Sequence, residues 1–160
     1  MYQLPTVTKS KMILFEPANE TDIGALGTLS HLCFHRAFKD IMTATSLSLR
    51  PVQYFIDRFT QRWHDVVKVV SCERIIGFAM TNGGHIDMFF IHPDFQGTGI
   101  GTDLLDYLVS KCAINTLECF QDNVKARRFY ERKGWIQSNA FTREYCGEPY
   151  DFVSYKYPTI

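Results

Sequence analysis

The run Gln96-Gly97-Thr98-Gly99-Ile100-Gly101 places glycine at alternate positions directly between a β-rich stretch and an amphipathic one. No other segment constrains the fold as much. Ahead of it, His85 to Ile91 ("HIDMFFI") reads as a strand stopped by "HPD". Behind it, from about Gly99 to Ala113, Ile100, Leu104, Leu105 and Leu108 recur at helical spacing. A strand that turns through glycines into a helix is an anion site. The first helical amides lack intrahelical acceptors, and the helix dipole favours negative charge there. Glycine lets the backbone come close to a phosphate and takes positive φ where the turn needs it. Spacing removes two nucleotide readings. A dinucleotide G-x-G-x-x-G would need glycine at Thr102, or at Leu104 if the frame starts at Gly99, and the Gly-Lys-Ser/Thr of a P-loop is absent. A tight turn that binds nothing remains the bland alternative.

The rest of the chain has no repeat, linker or low-complexity tract, and residues 1–160 read as one domain. Met12 to Phe15 reads as a first strand. Asn19, Thr21 or Asp22 can cap a helix carrying Ile23, Leu26, Leu29, Leu32 and Cys33. A second helix follows Pro51, with Val52, Phe55, Ile56, Phe59 and Trp63 on one face. Val66 to Ser71 and Ile75 to Met80 read as strands around a "CER" turn, and Gly83-Gly84 leads into the His85 strand. After the glycine helix come a short strand, "TLECFQ", and a helix, "NVKARRFYERKG", capped at Asp122 or Asn123 and stopped at Gly134. Trp135 to Tyr145, a turn at "CGEP", and Tyr150 to Tyr157 form a closing hairpin. The order β-α-α-β-β-β-α-β-α-β-β implies an α+β fold. Its sheet is mostly antiparallel, with parallel right-handed β-α-β pieces near the middle.

Seventeen basic and 17 acidic residues cancel, which argues against a sequence-independent nucleic-acid binder. No stretch has the roughly 20 apolar residues that span a bilayer, so no membrane partner is expected. The first residues, "MYQLPTVTKSKM", lack the apolar centre of a signal peptide, and the expected compartment is the cytoplasm. Five cysteines, odd in number and without a C-x-x-C pair, fit reduced packing residues. His31 and His35 stand at i, i+4 but have no evident third ligand, so no metal is expected.

Gln96 to Gly101 resembles Q/R-x-x-G-x-G/A, the acyl-CoA pyrophosphate loop of the GNAT superfamily of N-acyltransferases. "NVKARRFYERKGW" is similar to that family's N-x-x-A-x-x-F-Y-x-x-x-G-F/W, through Asn123, Ala126, Phe129, Tyr130, Gly134 and Trp135. "FFIHPDFQG" resembles the strand ending that leads into its loop. The likeness covers Arg74 to Trp135 well, and elsewhere only the order of elements agrees. It implies a GNAT-like sheet of about seven strands flanked by about four helices, and acetyl-CoA as co-substrate. The amides of Gln96, Gly97, Thr98, Gly99, Ile100 and Gly101 would hold the pyrophosphate. The strand with Phe89 and Ile91 would offer backbone groups to the pantetheine arm in the manner of an added strand. Asn123 would lie near the pantetheine or phosphates and Tyr130 near the coenzyme sulfur. Arg127 shares their helix face at i+4 from Asn123 and could reach a phosphate, or lie exposed. The loop itself carries no Lys or Arg, so phosphate binding would rest on amides and dipole.

Acyl transfer from a thioester needs a neutral amine. At pH 7 a lysine-like amine with a pKa of about 10.4 pays roughly 4–5 kcal/mol for that. His85 and Asp87 are the base candidates jointly, on a strand whose alternation would put His85, Asp87, Phe89 and Ile91 on one face. The plain alternative for each is a hydrogen-bonded residue at the strand's start. Tyr130 would donate a hydrogen bond to the leaving sulfur, and an N–H near Phe89 or Phe90 would face the oxyanion. The acceptor, an amine of a small molecule or peptide, would be met by the segment from Arg36 to Leu49, the second helix and the final hairpin, which carry Tyr54, Trp63, His64, Tyr145, Tyr150 and Asp151. A homodimer is left open. The rival reading is a non-catalytic acyl-CoA-binding sensor or interaction module.

Overall fold

The computed structural model describes residues 12–158; the reading of the first residues as no signal peptide lies outside them. Seven strands form one sheet in the order β1-β2-β3-β4-β5-β7-β6: β1 Ile13–Pro17, β2 Val66–Ser71, β3 Arg74–Asn82, β4 His85–Ile91, β5 Thr116–Phe120, β6 Ile136–Tyr145 and β7 Glu148–Lys156. Only β4 and β5 run parallel, joined by a helix, as the β-α-β reading requires. Five α-helices accompany the sheet: α1 Ile23–Phe38, α2 Ala44–Ser48, α3 Val52–Arg62, α4 Ile100–Cys112 and α5 Val124–Arg132.

The hairpins explain why the strands fall where they do. β2–β3, β3–β4 and β6–β7 each turn through two residues with positive φ: Cys72-Glu73, Gly83-Gly84 and Cys146-Gly147. Such turns match the twist of paired strands. They are tighter than the sequence suggested. Arg74 already belongs to β3, and Glu148-Pro149 to β7. Pro149 is tolerated because β5 pairs with β7 only from Phe152 onward, so no neighbour on that side needs its missing N–H.

The sheet separates two apolar layers. On one face α4 contributes Ile100, Leu104, Leu105 and Leu108, which pack with Ile86, Ile91, Leu117, Tyr130 and Trp135. On the other, Leu26, Leu29, Cys33 and Phe34 of α1 and Phe55 and Phe59 of α3 pack on Phe78, Met80 and Phe152. Each such side chain, fully buried, contributes about 1.5–3 kcal/mol. α1 and α3 approach closely at Gly27, where an added Cβ would stand 2.7 Å from Ile56 Cγ1. Asn19 caps a short 3-10 turn, Glu20–Asp22, ahead of α1 in a capping box with Asp22. α2 is the helix that the sequence did not reveal. Only five residues long, it starts at the Thr43 cap, with Ser46 as its one buried residue, so it carries no apolar periodicity to read. Trp63 lies beyond α3, in the 3-10 turn Trp63–Asp65.

Candidate active site

β4 and β5 pair at only two positions, His85 with Thr116 and Ile86 with Leu117. The cause lies on the other side of β4. Thr81 stands opposite Ile86 and Met80 opposite Met88, so Asp87 is an extra residue. A bulge of this kind bends its strand and increases its twist. Beyond it, residues 87–91 have no strand partner toward β5, and the parting opens a cleft of about 1070 Å³ that reaches both layers of helices.

The bulge also corrects the expected alternation. Ile86, Phe89 and Ile91 pack on the α4 layer, whereas Met88 and Phe90 pack on the α1/α3 layer. Asp87 turns to α3, where Arg62 Nη2 meets its Oδ2 at 2.9 Å. His85, Asp87, Phe89 and Ile91 therefore do not share one face, because the extra residue shifts the period of two. His85 Nδ1 lies 2.8 Å from Thr116 Oγ1, which leaves Nε2 without that partner. His85 and Asp87 both line the cleft.

At the α4 end the cleft is built from backbone. His92 N donates to Ile76 O on β3 (2.7 Å), so by alternation the amides of Phe89 and Ile91 face away from β3, into the parting; Phe90 faces β3. Ile91 O is already taken: Gln96 Nε2 donates to it at 3.0 Å. Gln96 thereby anchors the loop, while Gly97 (φ 77°) and Gly99 (φ 90°) supply the left-handed backbone that turns it into α4. No side chain caps α4, so its first amides are open donors at the positive end of the helix. Gly101 differs from the other two. A Cβ there would meet Ile91, Phe129 and Phe89 no closer than 3.8 Å, so nothing in the protein requires glycine. Gly101 and those three neighbours all line the cleft, which is the space a coenzyme arm would fill. The donor set fits an acyl-CoA pyrophosphate: amides, dipole and a glycine face.

Of the remaining loop residues, Thr98 turns its hydroxyl back to Phe95 O (2.5 Å) and Ile100 buries its side chain in the core, so each offers main chain only. Asn123 lines the cleft and caps α5, its Oδ1 accepting from Ala126 N at 3.3 Å. Arg127 is not brought to the cleft. Its guanidinium donates to Tyr155 Oη (3.1 Å), Gln121 O (3.1 Å) and Gln137 Oε1 (2.9 Å), clamping α5 to the final hairpin. The cation at the loop is Lys125, whose Nζ donates to Gln96 Oε1 at 3.2 Å. A loop without Lys or Arg thus borrows one from α5. The signal was in plain view two residues after Asn123, but only the fold shows which way that residue points.

Tyr130 is buried (7% exposed) among Phe89, Phe129, Trp135 and Tyr155, yet it lines the cleft. Burial pushes its phenol well above the ordinary tyrosine range, and Cys119 adds to the push, so at neutral pH it holds its proton. Cys119 lines the same cleft. Burial lifts its thiol to about 11, against a smaller downward pull from Arg127 and an upward push from Glu131. Such a thiol is a poor nucleophile at neutral pH.

At the other end of the cleft stand Tyr54 of α3 and Tyr145 of β6, as expected. Arg50 lies between them, 4.0 Å from the Tyr54 ring and 4.9 Å from the Tyr145 ring. The other expected acceptor residues are engaged elsewhere. Trp63 and His64 stack on each other at 3.7 Å, Asp151 accepts from Thr142 (2.6 Å), and Tyr150 donates to Ser46 Oγ (2.8 Å) and accepts from Thr43 N (3.1 Å). The Ser46 hydroxyl, fully buried, also lies 3.1 Å from Cys146 O and 2.8 Å from Glu148 Oε2, tying α2 to the β6–β7 turn. The His31 and His35 rings lie tilted with their centres 4.3 Å apart, and His35 Nε2 lies 2.7 Å from Arg50 O.

A sheet parted between two parallel strands, an uncapped glycine-led helix at its mouth and a phenol inside make up the GNAT-type acyltransferase architecture. The solution structure of apo-form YjaB from Escherichia coli superposes with a TM-score of 0.73 at 21% identity, over 91% of this chain and 97% of that one. The PaiA N-acetyltransferase of Thermoplasma acidophilum, solved in complex with coenzyme A, gives 0.69 at 13% identity, over 91% and 99%. In sequence, the peptidyl-lysine N-acetyltransferase YjaB of Salmonella typhimurium is 29% identical over 92 residues, which span 58% of this chain and 63% of that relative. The chain belongs to the acetyltransferase (GNAT) domain family, whose model matches residues 30–157.

Proposed function

We propose that this protein moves an acetyl group from acetyl-CoA directly to a primary amine, a peptide lysine or the amine of a small molecule. The observation that carries the reading is the uncapped, glycine-led start of α4 opening on the same cleft as Tyr130 and the unpaired stretch of β4. The peptidyl-lysine activity named for the YjaB relative supports the acceptor class. In the transfer, the amine nitrogen bonds to the thioester carbonyl carbon as the C–S bond breaks, and the sulfur leaves with the electron pair. The Phe89 amide faces the carbonyl oxygen as charge develops there. The amine proton leaves toward Asp87 or His85, directly or through water. Tyr130 keeps its proton. A thiol has a pKa of about 8.5 and an ordinary phenol about 10, and burial widens that gap, so the phenol stabilises the departing thiolate by hydrogen bonding while solvent returns the proton.

Incubation with acetyl-CoA and a panel of amines, following free thiol and the amide product together, tests the reading. Thiol released in step with amide is the expected result. Acetyl-CoA binding without turnover of any amine would return the protein to the class of acyl-CoA sensors. Full activity in both Tyr130→Phe and Asp87→Asn would overturn the residue assignment.

A further inference from the structure

Within a chain of zero net charge, the cleft is lined by Arg36, Arg58, Lys125, Arg132 and Arg143 against only Asp87 and Glu118. Both carboxylates are already matched, Asp87 by Arg62 at 2.9 Å and Glu118 by Arg143 at 3.0 Å. Lys125 and Arg132 belong to α5, and Lys125 lies at the glycine loop, where a coenzyme's phosphates would meet it. Arg36 and Arg58 remain. Neither has a carboxylate or hydrogen-bond partner among the described residues, and both stand on the opposite layer from α4.

Their positions follow from the helices that carry them. Arg58 lies one turn before Arg62 on α3, so it shares the face that Arg62 uses to reach Asp87. Arg36 lies three residues after Cys33 on α1, whose Sγ stands 3.7 Å from Ile91 O. The two guanidinium groups therefore flank the β4 side of the cleft above an aromatic floor that includes Phe34, Phe38, Phe90 and Phe120. That floor excludes water and favours the neutral form of an entering amine. Arginine forks pair well with carboxylates, and at the cleft's rim, where Arg36 is exposed and Arg58 half-buried, that pairing is open to screening by salt.

We infer that the acceptor is an acidic peptide segment, a lysine flanked by Asp or Glu side chains whose carboxylates pair with Arg36 and Arg58. The inference rests on the acetyltransferase reading and names the acceptor's charge. The test compares kcat/KM for matched lysine peptides with acidic, amidated-neutral or basic flanks, and for free lysine, at fixed acetyl-CoA, in the wild type, R36Q/R58Q and R36E/R58E. Rim charge pairs contribute up to about 1 kcal/mol each, so the expected acidic-over-neutral preference is roughly tenfold at low salt. It shrinks as salt is added, collapses in R36Q/R58Q and inverts toward basic flanks in R36E/R58E, while the KM for acetyl-CoA stays put. Equal turnover of all flanks, or a preference that survives both variants, overturns the inference and leaves the acetyltransferase reading standing. Free lysine preferred over the acidic peptide also overturns it, by moving the carboxylate from a flanking residue to the acceptor's own backbone. No peptide turned over while free lysine or another amine is acetylated overturns the inference alone, and acetyl-CoA binding with no amine turned over overturns both readings together.

Discussion

The two ends of the cleft are built by different means. The α4 end is made of main chain: amides of Gly97 to Gly101, the Phe89 and Ile91 amides, and a helix terminus without a cap. The α1/α3 end is made of side chains from segments far apart in sequence, joined by contacts such as Ser46 to Glu148 and Arg50 to Tyr145. A backbone site needs particular φ values and close approach, and both leave glycines at fixed spacing. A side-chain site needs only that some residue of the right chemistry arrive from somewhere. The first kind is written locally, and the second only in the fold.

The largest expected effect separates stability from binding at Gly101. Within a helix alanine is favoured over glycine by roughly 0.5–1 kcal/mol, and the protein has room for the Cβ. Gly101→Ala should therefore unfold at higher urea than the wild type while binding acetyl-CoA about a hundredfold more weakly, about 2.7 kcal/mol. Loss of both together would mean that Gly101 serves the fold. Next is Tyr130→Phe. Hydrogen bonds to charged groups are worth about 1.5–3 kcal/mol, so kcat should fall roughly 10- to 100-fold, with the urea midpoint nearly unchanged because no protein group bonds the hydroxyl among the described residues. At the other end, Ser46→Ala should cost about 1–2 kcal/mol of stability, since Tyr150 and Glu148 lose a buried partner, and should raise the KM of the amine without moving that of acetyl-CoA. Smaller still is the contrast between two neighbours on α5. Lys125→Met should raise the acetyl-CoA KM a few-fold at low salt, whereas Arg127→Gln should loosen the hairpin and leave that KM alone.

Alkaline pH probes the two layers together. Burial raises the Cys33 thiol to about 12 and the Cys119 thiol to about 11, and it raises Tyr130 as well. Above about pH 9 the unfolded chain loses thiol protons that the folded chain keeps, so the unfolded state binds fewer protons and stability falls as pH rises. Each such group contributes a slope of about 1.4 kcal/mol per pH unit until its folded pKa is passed. Urea titrations between pH 8 and pH 11 should show the decline starting near pH 9 and easing in Cys33→Ala.

What the sequence made legible follows the same division. The three-glycine loop, the α4 and α5 helices, the Gly134 stop and the parallel β4–β5 pair could all be read from period and turn chemistry. The Asp87 bulge could not, because one extra residue leaves "HIDMFFI" looking like an unbroken strand. It was the bulge that separated Asp87 from Phe89 and opened the cleft. α2 escaped notice because five residues with one buried serine have no periodicity. Arg127 and Lys125 stand on one short helix, and spacing alone could not tell which of them meets the loop: Arg127 shares a face with Asn123 but reaches Gln137, while Lys125 reaches Gln96. Nothing in the spacing of Arg36 and Arg58 links them, and only the fold puts both on one cleft with its carboxylates already matched.

Amide hydrogen exchange with and without saturating acetyl-CoA tests the central claim most directly. The account predicts new protection concentrated at the amides of Gly97 to Thr102 and at Phe89 and Ile91, with far smaller changes along α1 and α3 until an amine acceptor is added. Unchanged exchange at the start of α4 under saturating acetyl-CoA would contradict it, as would protection confined to the α1/α3 end.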